Sequence, residues 1–149
     1  MSGDSPDQLL EAVADGWGWK LGKPLQILAT NRFGNAIVKN EVGQYFRIVP
    51  NESACRLIAR SPDELEKLRQ DEGFVRDWEM NGQVALAEAF QGPLAAGQVY
   101  CLVVPGMLGG SYTAENIRKS TFGELLAYSG EVTQQLEAGR PPRPGEPRA

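Results

Sequence analysis

Histidine is missing from all 149 residues. With it go the Ser-His-Asp and Cys-His nucleophile systems, histidine-ligated zinc, and the side chain best suited to moving protons near neutral pH. Cysteine is nearly as scarce, at two residues, and two isolated thiols cannot build a thiolate metal cluster. Cys55 and Cys101 each lie in an apolar stretch (Ala54–Ile58 and Tyr100–Val104). They read as buried, reduced thiols serving as small hydrophobes, with a disulfide or a reactive thiol as the alternative. Long apolar runs are lacking too. The longest, such as Tyr100–Val104, fall far short of the roughly 20 residues that span a bilayer. The first eleven residues carry acids but no base, and no apolar segment of signal-peptide type follows. The expectation is a cytoplasmic protein with no metal, no cofactor and no membrane partner.

An excess of basic residues is also absent. Nineteen acids against fifteen bases leave a formal charge of -4. A dedicated nucleic-acid binder shows a basic stripe instead, so direct nucleic-acid binding is not expected. Interleaving of bases and aromatics is confined to Lys39, Tyr45, Phe46 and Arg47. The charge does suit a basic partner.

What remains is a globular composition, 42% hydrophobic and 23% charged, in a chain long enough for one domain with a sizeable core. Ser5-Pro6-Asp7 has the form of a helix start and predicts a short helix from Ser5 to Ala14. Trp17 and Trp19, in Asp15-Gly16-Trp17-Gly18-Trp19, read as core or core-edge anchors. Four closely spaced strands follow: Leu25–Thr30, Ala36–Lys39, Gln44–Val49 and Ala54–Ala59. Gly- and Asn-containing turns separate them, with no room for crossovers, so the pairing should be an antiparallel meander.

The period then changes. Ser61-Pro62-Asp63-Glu64 is a strong helix start, with Leu65 and Leu68 on one face. A longer helix is predicted from Phe74 to about Phe90, with Phe74, Trp78, Ala85 and Ala89 on one face and Met80, Val84 and Ala87 on another. Val99–Val104 reads as a strand buried on both sides. Thr121-Phe122-Gly123-Glu124 has capping-box spacing ahead of a last helix. From Gly139 onward, four prolines and three arginines predict a disordered tail.

Carboxylates are the remaining chemistry. Asp63, Glu64, Glu66, Asp71, Glu72, Asp77 and Glu79 are dense enough to suggest a divalent-metal or glycosidase site. Acids in a first helical turn, however, complement the helix dipole, and Lys67, Arg69 and Arg76 intervene as on a solvated face. Pro62–Gln91 holds eight acids and three bases, a net of -5 that exceeds the excess of the whole chain. That span is therefore a candidate acidic partner-binding face, with Asp71, Glu72, Asp77 and Glu79 as its candidate contact residues. Gly106, Gly109 and Gly110 lack the G-x-G-x-x-G spacing and the Lys-Ser/Thr of phosphate loops. They read as a tight structural turn.

The stretch Tyr100–Asn116 resembles the hallmark of the DUF1851 family, the C-terminal domain of the type VI secretion immunity protein Tdi1. Tyr100, Pro105, Leu108, Gly109, Gly110, Tyr112, Glu115 and Asn116 match its pattern of approximately Y-x-F/L-x-x-P-x-x-L-G-G-x-Y-x-x-E-N. Asn31–Asn35 and Phe74–Trp78 resemble two further family segments, so the likeness covers roughly Asp15 to Glu137. The histidine-containing segment common in relatives after the position of Ser120 is not found here, and the separate N-terminal GAD-like domain that some carry is not expected in a chain of this length. The resemblance implies an immunity protein that binds a cognate secreted toxin, often a nuclease, and blocks its active cleft without catalysis of its own. The motif residues are expected to support the fold. A non-catalytic intracellular adaptor on the same fold is the alternative. The overall expectation is a single α/β (α+β) domain over residues 15–138. A mainly antiparallel meander packs against helices on one face, preceded by a helical segment (1–14) and followed by the tail (139–149).

Overall fold

A computed structural model describes residues 5–139. Residues 1–4 lie outside it, and so does the expected Pro- and Arg-rich tail apart from Gly139. The first helix, α1 (Pro6–Leu21), begins as its sequence predicts. The Gln8 amide donates to Ser5 Oγ at 3.2 Å, and the Ser5 amide donates back to Gln8 Oε1 at 2.7 Å. It does not end near Ala14. It continues through Gly16 and Gly18 because Val13, Trp17 and Leu21, four residues apart, are all buried on one face. Burying a tryptophan stabilises by about 4 kcal/mol, more than the roughly 1 kcal/mol that each glycine costs a helix.

The meander follows as β1 (Pro24–Thr30), β2 (Ala36–Asn40), β3 (Tyr45–Val49) and β4 (Ala54–Ala59), paired antiparallel in that order. Two asparagines shape its turns. Asn31 Oδ1 accepts from the Phe33 and Asn35 amides, both at 3.0 Å. Asn40 Oδ1 accepts from the Val42 and Gln44 amides, while its Nδ2 donates to the Leu21 carbonyl at the end of α1. Each side chain mimics a strand end and holds the chain in its reversal.

Helices cover both faces of this sheet, not the single face that the sequence suggests. Ala36, Val38 and Ile48 pack with α1 residues Val13, Trp17 and Leu21. Their pleat neighbours Ile37 and Tyr45 pack, together with Ala59, against Leu65, Phe74 and Trp78. Period-two alternation serves two layers here because β2 is buried along almost its whole length.

Leu65 lies on α2 (Pro62–Arg69), capped by Ser61, whose Oγ accepts from the Glu64 amide. The single helix predicted from Phe74 to Phe90 is two helices, α3 (Glu72–Glu79) and α4 (Asn81–Gln91). Met80 breaks them at φ 50°. The reason lies in burial. Phe74 and Trp78 pack on the meander, whereas Met80, Val84 and Ala87 join a second cluster with Phe33, Tyr100 and Ile117. One straight helix cannot face both. Asn31 Nδ2 takes up the Trp78 carbonyl at the break, at 2.8 Å, and Asn81 and Gly82 are weak helix formers.

The last elements are β5 (Gln98–Leu102), a 3-10 turn (Gly106–Leu108), β6 (Ile117–Thr121) and α5 (Phe122–Glu137). β6 pairs antiparallel with β5 in a separate two-stranded sheet that the sequence reading does not anticipate. Asn51 stitches this ribbon to the meander. It accepts from the Leu102 amide and donates to the Phe33 carbonyl, both at 2.9 Å. The capping box expected at Thr121 is not formed. The Thr121 hydroxyl donates to the Glu124 carboxylate instead, leaving the helix start without a side-chain cap. α5 lies against α1 and completes the core with Phe122 and Leu126.

Candidate partner-binding surface

The four acids singled out on the sequence all lie exposed at α3, but they are not equivalent. Asp71 caps the helix, its Oδ1 accepting from the Phe74 amide at 2.8 Å. Glu72 pairs with Arg76 one turn on, at 3.9 Å, and Glu79 accepts from Asn81 Nδ2 at 3.4 Å. Asp77 does a different job. It receives Arg47 Nη1 at 2.5 Å, and the Arg47 side chain is only 8% exposed. Arg47 also donates through Nε and Nη2 to Asn35 Oδ1, and its guanidinium lies 5.8 Å from the Phe74 ring and 5.2 Å from the Trp78 ring. These contacts tie α3 to the sheet, with Asp77 neutralising a buried cation. Asp63, Glu64 and Glu66 sit apart on α2, where the Glu64 carboxylate accepts from the Arg60 amide.

The glycine-rich motif is a brace. Asn116 Oδ1 accepts from the Val104 amide, and its Nδ2 donates to the carbonyls of Val104 and Ser111, at 2.9 to 3.0 Å. The Val103 amide donates to the Asn116 carbonyl, and the Asn116 side chain carries the ladder on to Val104, two residues beyond β5, like an added piece of strand. Gly110 lies so close beneath that a Cβ there would fall 1.6 Å from the Val104 carbonyl oxygen. Gly109 takes φ 96° as the 3-10 turn that follows Pro105 ends. Tyr112 packs edge-on against Phe33 and donates its hydroxyl to Glu52 at 2.9 Å. Burial first, then the neighbouring Glu52 carboxylate, pushes that phenol well above its ordinary value. Tyr100 is fully buried and donates to the Gly92 carbonyl. Glu115 is exposed and makes no hydrogen bond or ion pair with the described residues.

The brace also presents a surface that the sequence reading misses. Val103 and Val104, read there as buried on both sides, are 60% and 42% exposed. β5 ends at Leu102, and the chain turns outward under the Asn116 bonds. Val103, Val104 and Leu108 line one wall of an open groove of about 940 Å³, and Leu125, Tyr128 and Val132 of α5 line another. The available signal is Pro105 after the valine pair, which argues against a longer central strand.

Chemistry is scarce elsewhere. Among the described residues no group of three or more cysteines and carboxylates is placed to hold a metal ion. Both cysteines are free and partly buried. Burial pushes the Cys55 thiol up to about 12 and raises that of Cys101, so both remain protonated and poorly nucleophilic near neutrality. No helix among the described residues is long and apolar enough to cross a membrane.

An antiparallel meander wrapped by helices, with a second two-stranded ribbon beside it, places the protein among α+β folds. A solved structure shares that fold: the crystal structure of Atu4351 from Agrobacterium tumefaciens, with a TM-score of 0.59 at 19% identity. The match covers 87% of this chain but 66% of that one, so this chain spans somewhat less than two thirds of its length. Comparison with curated proteins gives no match. The family is nonetheless shown. Residues 59–133 match the family described as T6SS immunity protein Tdi1, C-terminal, and the chain belongs to that type VI secretion immunity family. The matched segment runs from the end of β4 to α5 and contains both the acidic helices and the brace.

Proposed function

We propose that this protein is a cytoplasmic, non-catalytic immunity protein that binds a cognate secreted toxin and occludes its active cleft. The observation that carries the reading is the family match over residues 59–133. The same segment holds the eight acids and three bases of Pro62–Gln91. An acidic face meeting a basic, nucleic-acid-binding cleft steers encounter and sets register through unlike charge, which favours a nuclease as the toxin. Asp71, Glu72, Asp77 and Glu79 are the proposed contributors. Because Asp77 also neutralises Arg47, the cleanest variant leaves it alone. Glu72→Lys with Glu79→Lys should weaken capture of the inactivated toxin from the native host and flatten its salt dependence. Unchanged capture and unchanged salt dependence by the folded variant would remove α3 from the interface.

A further inference from the structure

Along the groove between the 3-10 turn and α5, several apolar side chains stand outside every core cluster. Val103, Leu108 and Tyr128 expose 60%, 46% and 62% of their surface there. Single exposed hydrophobes are ordinary, but a contiguous set lining one depression marks a contact site. Its charge has one sign. The acidic and basic side chains lining the groove are two carboxylates, Glu124 and Glu131, with no lysine or arginine among the described residues. The two are seven residues apart, with Tyr128 between them, so all three share one side of α5. Glu131 makes no hydrogen bond or ion pair with the described residues.

The opposite wall is held in place. Asn116 bonds both polar atoms of the Val104 backbone, and Gly110 backs directly onto it. The valines and Leu108 are therefore presented by a braced loop, which reduces the ordering penalty on binding. A groove with apolar walls and a carboxylate edge complements an apolar segment that carries cationic side chains at its margins.

We propose that this groove is a second docking site for the toxin, taking a short segment whose apolar side chains are flanked by lysine or arginine. The proposal rests on the immunity reading for the identity of the partner, but its chemistry can be tested without the toxin. The probe is a fluorescein-labelled peptide of repeating Lys-Leu-Leu-Lys pattern, with a Glu-Leu-Leu-Glu peptide as its match, titrated into the full chain. The lysine peptide should bind at least tenfold more tightly, with amide shifts centred on Val103, Val104, Leu108 and Tyr128. Tyr128→Lys with Glu131→Lys should reduce binding at least tenfold, whereas Val42→Lys, outside the groove, should leave it unchanged. Equal binding of the two peptides, shifts centred elsewhere, or a groove closed by a second copy of the chain overturns the proposal. The inactivated toxin separates the two readings. Displacement of the lysine peptide by the toxin supports the docking site. Toxin binding with the peptide still seated overturns the site and leaves the immunity reading intact, whereas no toxin binding to the native chain overturns both.

Discussion

Gly16 on α1 and Gly130 on α5 meet backbone to backbone, so that a Cβ built on Gly130 would lie 1.9 Å from the Gly16 carbonyl oxygen. Trp19 covers the crossing and donates its indole N–H to both carbonyls, at 2.7 and 3.2 Å. The contact is what lets α1 and α5 close over the apolar face of the meander. Gly130→Ala should therefore destabilise the protein by about 3 kcal/mol, since the obstacle is backbone and cannot swing aside. Gly18, two residues along the same helix, has open space around its Cβ position. Gly18→Ala should stabilise by roughly 0.5–1 kcal/mol. Urea denaturation of the two variants checks both signs at once.

Asn116 acts as a surrogate strand residue for Val104. Asn116→Ala removes three hydrogen bonds on a half-exposed loop, and a loss of about 1–2 kcal/mol is expected. Asn116→Asp should do at least as much harm, because a carboxylate would face the Val104 and Ser111 carbonyls in place of a donor. Hydrogen exchange at the Val104 amide provides the local readout, and protection there should fall in both variants.

Among the α3 acids, Asp77 serves the fold and Glu72 and Glu79 do not. Its own side chain is 73% exposed, so water moderates the pairing. Asp77→Asn should still cost about 1 kcal/mol because the Arg47 it neutralises is buried. Glu72→Gln and Glu79→Gln should stay within about 0.5 kcal/mol of the parent. Thermal unfolding of the three single variants distinguishes these outcomes.

The Cys55 thiol, pushed up to about 12 by burial, predicts a chemically quiet protein. A rise from the ordinary thiol value of 9.0 lowers the thiolate fraction near neutral pH by about a thousandfold. Alkylation of Cys55 in the native chain should therefore track global unfolding. The folded state keeps this proton where the unfolded chain releases it. The contribution to stability is thus complete below the unfolded pKa and fades as pH rises from about 9 towards 12. The loss of stability between about pH 8 and pH 10.5 should be smaller in Cys55→Ala than in the parent, measured by urea midpoints.

The meander and the starts of α1 and α2 are legible in the sequence because their signals are local. Ser5, Ser61, Asn31 and Asn40 each complete their bonds mostly within a few residues. The run of α1 past Gly16, the break at Met80 and the second ribbon depend on partners far along the chain. Gly130, Phe33 and Ile117 supply the decisive contacts in those places, and periodicity carries no trace of them. The site divides in the same way. Acidic excess over Pro62–Gln91 is visible as composition, but the claim of Arg47 on Asp77 is a tertiary fact. Val103 and Val104 look like core until the Asn116 side chain is seen to replace a strand.

The proposed function has this protein work by covering a toxin. The direct measurement is titration of the purified chain into the active cognate toxin, with the toxin's own activity as readout. Inhibition should be complete at one equivalent, persist while the complex is intact, and leave both chains covalently unchanged. A toxin that stays active in excess of the chain, or a chain that modifies or degrades the toxin with turnover, contradicts the account.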